Sequence, residues 1–167
     1  MELLVVRHAI AEDTEAFAAT GRDDAERPLT ADGARKMRRT ARGLHALVPS
    51  VDAIVSSPLA RASETAEILR REYEVDEVQT ADVLTPGTPV QDVVSWLERY
   101  DREVVMLVGH EPQLGRLVTY VVSGLDQPGV ELKKGAACLI ELDAPPKAGK
   151  AILLWAIPPS VLRDLAG

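Results

Sequence analysis

Short apolar runs alternate with longer amphipathic segments along most of this chain. Three of the apolar runs span residues 3–6, 52–56 and 104–108, and each is short enough for a strand buried on both faces of a sheet. Between and after them, apolar residues recur at helical spacing in residues 31–48, 59–72, 90–97 and 113–122. Strands that alternate with helices in this way predict a mostly parallel sheet.

Residues that favour helix starts precede three of the amphipathic segments. Thr30 is a predicted N-cap, and Pro49 ends the helix that follows it. Ser57 with Pro58, and Thr88 with Pro89, match the preference for a hydroxyl at the N-cap and proline at the first helical position. We therefore predict that these two helices begin at the prolines.

The C-terminal part of the chain has a different pattern. Residues 136–142 and 150–157 read as two strands separated by prolines and a glycine, which predicts an antiparallel hairpin at one sheet edge. Residues 73–80 predict a further strand at an edge, and a short helix is expected after Pro159. The predicted fold is therefore α/β, with three layers: a mostly parallel central sheet, helices on both faces and antiparallel edge strands.

Composition agrees with a single folded domain over residues 1–167. The chain has 46% hydrophobic and 27% charged residues, as in an ordinary globular protein. Its net charge of -7 argues against general binding of nucleic acids or anionic membranes. One cysteine, Cys138, excludes an internal disulfide, and no signal peptide or membrane span is apparent, so we expect a cytoplasmic protein.

Charge is unevenly distributed near the start of the chain. Residues 12–27 are rich in acidic side chains and read as a surface loop, with a turn of helix around residues 15–19. The exposed face of the following helix is basic, with Arg35, Lys36, Arg38, Arg39 and Arg42. A solvated helix face is the favoured interpretation, and a docking patch for an acidic protein is the alternative.

Polar side chains follow the predicted strands at the edge where ligands bind in open α/β sheets. Arg7 and His8 end the first strand, His110 follows the third, and Arg61 lies in the first turn of the helix after the second. Two guanidinium groups, two imidazoles and a helix N-terminus favour a tetrahedral dianion, so the sequence predicts a phosphate site. A neutral imidazole there is a competent nucleophile towards phosphorus. A metal bound by the two histidines is disfavoured because the arginines would repel a cation.

These motifs resemble those of the histidine phosphatase superfamily, which includes phosphoglycerate mutases. Arg7-His8-Ala9 resembles its Arg-His-Gly signature, residues 57–66 resemble its second signature, and residues 109–112 resemble its third. Further likeness to the small SixA-type phosphohistidine phosphatases lies in residues 27–30 with Gly33, residues 84–86 and residues 132–136. The resemblance implies a phosphoglycerate-mutase-like fold.

The resemblance also implies a role for each matching residue. His8 would attack phosphorus and form a phosphohistidine enzyme that water then hydrolyses, while Arg7, Arg61 and His110 hold the phosphoryl oxygens. Glu111 would add a backbone N–H to the substrate site. Arg27 reads equally well as a residue of the pocket rim and as a partner of the acidic loop. No cofactor or metal is expected, because the cationic side chains supply the charge.

The sequence departs from the family pattern at three places. Ala9 replaces the usual glycine, Ala11 stands where larger members often have Ser or Thr, and residues 84–86 lack the glutamate that many members use as general acid. An imidazole leaving group needs a proton donor less than an alkoxide does, so the missing acid favours phosphohistidine as substrate. The remaining candidate proton donors are Asp13, Asp82 and Glu111.

The expected function is removal of phosphoryl groups from protein phosphohistidine, with a phosphotransfer protein as partner. Only the loop of residues 12–27 is long enough to act as a flap, and an open site suits a substrate presented on another protein. The alternatives are a small-molecule phosphomonoesterase of the same superfamily and a non-catalytic domain that binds phosphoryl groups. For the oligomeric state, a monomer is favoured.

Overall fold

A computed structural model describes residues 1–167 and contains one six-stranded sheet. The strands are β1 (Glu2–Arg7), β2 (Ala53–Ser56), β3 (Val78–Thr80), β4 (Val104–Gly109), β5 (Ala137–Glu141) and β6 (Ile152–Ile157). The helices are α1 (Thr14–Ala18), α2 (Ala31–Leu47), α3 (Ala60–Tyr73), α4 (Val90–Leu97), α5 (Gln113–Ser123) and α6 (Pro159–Asp164). Short 3-10 turns cover Asp24–Glu26 and Asp82–Leu84.

The sheet has the strand order β3-β2-β4-β1-β5-β6. Strands β3, β2, β4 and β1 are parallel to one another, whereas β5 is antiparallel to β1 and β6 is antiparallel to β5. The predicted α/β fold, with a mostly parallel sheet and an antiparallel hairpin at one edge, is confirmed. The parallel strands place all their carboxyl ends at one edge, where the predicted site residues lie.

Helices cover both faces of the sheet because β1 and β4 are apolar on both faces. Leu3 and Val5 pack in a cluster with the apolar residues of α4 and α5. Leu4 and Val6, which alternate with them along the strand, pack with α2, α3 and α6. This arrangement gives the three predicted layers and buries β1 between two cores.

The predicted helix starts are only partly right. The Thr30 hydroxyl caps α2 by accepting a hydrogen bond from the Gly33 N–H at 2.8 Å, as predicted. The prediction for Ser57 was wrong, because α3 begins at Ala60 and has no side-chain cap. Helix α4 begins at Val90, one residue after the predicted start. Ser57 is instead buried, and its hydroxyl contacts a histidine described below.

The other boundaries differ from the prediction where segments are short. The edge strand β3 is limited to three residues, because Tyr73 belongs to α3 and Glu74 ends that helix in a left-handed conformation that cannot start a strand. In the acidic segment of residues 12–27, the turn of helix predicted around residues 15–19 is present as α1, and a 3-10 turn was not predicted. None of the helices combines the length and the apolar character needed to cross a membrane.

Candidate active site

Strand register brings three polar residues together at the carboxyl edge of the sheet. Arg7 lies level with Gly109, and the His8 N–H donates to the Gly109 carbonyl at 3.0 Å. The Ser57 N–H donates to the Val108 carbonyl on the other side of β4. His8, His110 and Ser57 therefore follow three adjacent strands, and the rings of the two histidines lie 5.2 Å apart.

His8 is held in one tautomer. It is 5% exposed, and its Nδ1 lies 2.7 Å from the carbonyl oxygen of Ala9. Because a carbonyl oxygen only accepts hydrogen bonds, Nδ1 carries the proton and Nε2 keeps its lone pair. The backbone of the following residue thus orients the ring and leaves the Nε2 lone pair free, which is the form of imidazole that can act as a nucleophile.

His110 is held by the side chain that was predicted to cap α3. Its Nε2 lies 2.8 Å from the Ser57 hydroxyl, which also accepts a hydrogen bond from the Leu59 N–H at 3.3 Å. Since that hydroxyl has a proton to donate, it favours the tautomer in which His110 Nδ1 carries the ring proton. Nδ1 is buried and has no hydrogen-bond partner within the protein.

Two arginines contribute further buried donors without partners. The Nε atoms of Arg7 and Arg61 are buried and make no hydrogen bond, although other atoms of both guanidinium groups do. Buried N–H donors are nearly always satisfied in folded proteins. Three unpartnered nitrogen atoms, on Arg7, Arg61 and His110, are what a site for a multidentate anion requires.

Arg61 and Arg27 share one carboxylate of the acidic segment. Arg61 donates to the Asp24 carbonyl at 3.1 Å and lies 3.3 Å from its carboxylate. Arg27 is 8% exposed, and it donates through Nε to the same carboxylate at 2.8 Å and to the Glu12 carbonyl at 2.9 Å. Arg27 is therefore a partner of the acidic segment, and it also lies close enough to lower the pKa of His110.

Burial and cationic neighbours keep both histidines neutral. Desolvation lowers the pKa of His8 to about 4, and the charges of Arg61, Arg7 and Lys134 act in the same direction. The pKa of His110 is lowered to about 3, mainly by desolvation and to a smaller extent by the charges of His8 and the arginines. The hydrogen bond from Nδ1 to Ala9 acts in the opposite direction on His8 but is outweighed. At neutral pH, His8 is therefore an uncharged imidazole beside fixed positive charges.

Glu111 has a structural contact that the sequence did not indicate. Its carboxylate accepts hydrogen bonds from the backbone N–H groups of Leu132 at 2.9 Å and Gly115 at 3.3 Å. The Leu132 carbonyl in turn accepts a hydrogen bond from Arg7 at 2.7 Å. Burial raises the pKa of Glu111, and the two backbone N–H groups oppose that shift. The Glu111 side chain thus supports the segment that holds Arg7.

The other two candidate proton donors lie on the surface. Asp13 is exposed and caps α1 by accepting a hydrogen bond from the Ala16 N–H at 2.9 Å. Asp82 is exposed at the first position of a 3-10 turn. Neither side chain hydrogen-bonds to the two histidines or to the arginines beside them.

Several residues that shape the site were missed by sequence reasoning. Thr65 accepts a hydrogen bond from the Ala9 N–H at 3.0 Å and donates to the Arg61 carbonyl at 2.7 Å, so it joins α3 to the end of β1. Thr65 lies within the second motif, which is a signal that could have identified it. Lys134 likewise lies within residues 132–136, one of the further stretches of likeness. Asp24 carried no such signal, because only the tertiary structure brings it to Arg61.

The fold and the site together define a class of protein. Residues 3–85 match the histidine phosphatase superfamily (branch 1), and the chain belongs to that superfamily. An uncharacterized protein of Picosynechococcus sp. is 34% identical over 137 residues, which cover 80% of this chain and 81% of that protein. Phosphohistidine phosphatase SixA of Escherichia coli (strain K12) is 27% identical over 173 residues, covering 98% of this chain and 97% of SixA.

Solved structures show the same fold with different functions. A structure of the protein histidine phosphatase SixA complexed with tungstate has a TM-score of 0.82, with 24% identity over 97% of this chain and 99% of that one. Alpha-ribazole phosphatase from Shigella flexneri has a TM-score of 0.71, with 16% identity over 95% of this chain and 97% of that one. The fold alone therefore does not distinguish a protein substrate from a small molecule.

Proposed function

We propose that this chain is a phosphohistidine phosphatase that removes phosphoryl groups from histidine residues of a phosphotransfer protein. The observation that carries the proposal is the buried cationic cluster around His8, whose Nδ1 is held by the Ala9 carbonyl. The chain is similar over nearly its whole length to phosphohistidine phosphatase SixA, and this similarity supports the choice of substrate.

The reaction proceeds through two displacements at phosphorus. His8 Nε2 attacks the phosphorus in line, its lone pair forms the new P–N bond, and the bond from phosphorus to the substrate imidazole breaks. Water then attacks the phosphoenzyme, the bond to His8 breaks, and inorganic phosphate leaves. Arg7, Arg61 and His110 donate hydrogen bonds to the phosphoryl oxygens as their charge redistributes. These cations and donors supply the charge stabilisation that phosphoryl transfer requires.

The charges around His8 favour a leaving group that needs little help from an acid. The charges that lower the pKa of His8 are all cationic and belong to Arg61, Arg7 and Lys134. An imidazole departs as a neutral molecule when its second nitrogen is protonated, whereas an alkoxide requires a proton from the enzyme. This difference favours cleavage of a P–N bond over cleavage of a phosphate ester.

The test is transfer of a labelled phosphoryl group to the enzyme. A phosphotransfer domain carrying ³²P on its histidine is mixed with the wild-type protein, and the reaction is quenched in base within its first turnover. We expect acid-labile, base-stable label on this chain and release of inorganic phosphate. His8→Ala should abolish the label and slow the release by at least roughly 10⁴-fold, because the nucleophile is lost.

His45→Ala is the matched control. His45 lies in α2 and contacts the Pro49 carbonyl and Glu72, outside the site, so the variant should be labelled like the wild type. If the phosphotransfer domain binds but neither label nor phosphate release is seen, the chain is not a phosphatase and is instead a domain that only binds phosphoryl groups. A higher kcat/KM for a sugar phosphate than for the phosphoprotein would favour the small-molecule phosphatase, to which the fold likeness with alpha-ribazole phosphatase also points.

A further inference from the structure

An arginine-rich groove runs between α2 and α3, outside the phosphate pocket. It encloses about 440 Å³. Its lining residues are Arg35, Arg38, Arg42, Ile68, Arg71 and Glu72, and we call it the arginine groove. The first three arginines follow one face of α2 at helical spacing, opposite the face that packs against the sheet. Four guanidinium groups and one carboxylate give this groove a positive charge within a chain of net charge -7.

Two of the arginines have no partner within the protein. Arg35 pairs with Asp32, and Arg71 pairs with Glu67 at 3.0 Å. Arg38 and Arg42 are exposed and take part in none of the ion pairs or side-chain hydrogen bonds. They are four residues apart on one helix, where like charges repel and weaken the helix slightly. An anionic ligand in the groove would remove that repulsion.

The groove lies within the reach of a protein bound at the active site. Arg61 and Ile68 are on the same helix, and seven residues of α3 separate them by about 10 Å along its axis. Arg71 lies about 15 Å from Arg61 by the same rise per residue. A standard protein interface buries about 800 Å² per partner and is roughly 30 Å across, which is wide enough to reach from the site to the groove.

We propose that the arginine groove docks an acidic segment of the phosphohistidine protein, and this proposal rests on the proposed function. Carboxylates on that segment pair with Arg38 and Arg42, while the half-buried Ile68 receives an apolar side chain between them. The net charge of the chain and Glu72 in the groove disfavour a nucleic acid, whose backbone is uniformly anionic. The groove would thus select among phosphohistidine proteins by their surface charge.

Two synthetic phosphohistidine peptides of equal length test the proposal. One carries Glu at the third to fifth positions on both sides of the phosphohistidine, which are about 10–17 Å away in an extended chain, and the other carries Gln there. The wild-type protein should hydrolyse the Glu peptide with a KM roughly fivefold lower, as expected for a few exposed charge pairs. The double variant R38E/R42E should reverse that preference.

Phosphoramidate, a small P–N compound, separates this proposal from the proposed function. R38E/R42E should hydrolyse it at the wild-type rate, because neither arginine contacts the phosphate pocket. The matched control R99E/R102E changes the net charge equally at the opposite end of β4 and should keep the preference for the Glu peptide.

Three outcomes would overturn one or the other proposal. Equal KM values for the two peptides in the wild type would overturn the docking role and leave the phosphatase intact. An oligonucleotide that binds the wild type but not R38E/R42E, with no discrimination between peptides, would assign the groove to nucleic acid. Hydrolysis of neither the peptides nor phosphoramidate would contradict the phosphatase itself.

Discussion

At the scale of residues, the site depends on which polar atoms are satisfied and which are left free. The Ala9 carbonyl fixes the His8 tautomer, and Ser57 fixes the orientation of His110. The Nε atoms of Arg7 and Arg61 and the Nδ1 atom of His110 are buried without partners, which favours an anion at this site. Ala9 itself adopts no left-handed backbone conformation, so the alanine that replaces the family's glycine is accommodated without strain.

Asp24 pairs with two arginines of the candidate site, and we expect it to compete there with an anionic substrate. Its carboxylate lies between Arg27 and Arg61, and the hydrogen bond from Arg27 lowers the pKa of Asp24. We predict that Asp24→Asn tightens the binding of inorganic phosphate by about two- to fivefold, because the arginines lose a half-exposed anion. Inhibition constants for phosphate, measured in both proteins, would show the change.

Asp23→Asn provides the control for that measurement. Asp23 caps the same 3-10 turn through the Ala25 N–H and pairs with neither arginine, so its replacement should leave phosphate inhibition unchanged. Weaker phosphate binding in Asp24→Asn would instead mean that Asp24 positions Arg61 for the substrate rather than competing with it.

At the scale of elements, α2 connects the site to the rest of the fold through two close approaches. A Cβ atom on Gly33 would lie 2.1 Å from the Ile10 carbonyl oxygen, and one on Gly43 would lie 1.7 Å from the Leu162 carbonyl oxygen. Both glycines therefore allow backbone contacts that alanine would break. The first contact touches the segment that follows His8, and the second touches α6.

We predict that Gly33→Ala lowers both stability and activity, whereas Gly43→Ala lowers stability alone. Each should lower the free energy of unfolding by about 1–3 kcal/mol, since the added methyl group forces the neighbouring backbone to move. Only Gly33→Ala should also lower kcat/KM, because it displaces the loop that carries the Ala9 carbonyl. Urea unfolding and phosphatase assays on both variants would check this, and equal losses of activity would contradict the assignment.

Element boundaries show where local sequence signals were sufficient and where they were not. The Thr30 cap of α2 was predicted because the hydroxyl and the helix that it caps are adjacent in sequence. The same signal at Ser57 was misleading, because the hydroxyl forms its shorter hydrogen bond with His110, which follows β4. Tertiary hydrogen bonds outweigh a local capping preference when the side chain is buried.

At the scale of the whole molecule, burying two neutral histidines links stability to pH. His8 and His110 have pKa values of about 4 and about 3 in the folded protein, against 6.5 for an ordinary histidine. Below pH 6.5 the unfolded chain takes up protons that the folded protein does not, so stability is complete above pH 6.5 and falls as the pH decreases. The loss continues until the pH reaches the folded pKa values.

We predict a loss of about 2 kcal/mol per buried histidine between pH 7 and pH 5. Most carboxylates remain ionised at pH 5, so this interval isolates the histidines. Urea unfolding at both pH values measures the difference for the wild type and for His8→Gln/His110→Gln. The double variant should lose much less stability than the wild type over this interval, and an equal loss in both proteins would contradict the prediction.

The sequence by itself determined the strands, most helices and the identity of the chemical groups. Apolar runs and helical spacing are local, and the motifs around His8, Arg61 and His110 each fall at the end of a strand or the start of a helix. Because parallel strands share one carboxyl edge, the convergence of these groups also followed from the pattern.

Only the tertiary structure decided how those groups are oriented and which charged or polar side chains contact them. The Asp24 carboxylate on Arg61, the Glu111 carboxylate on the segment that holds Arg7, and Ser57 on His110 are contacts between distant parts of the chain. Their geometry depends on how the packed layers position the loops, which no local pattern encodes. The tautomer and depressed pKa of His8 are likewise consequences of burial, which exists only once the chain has folded.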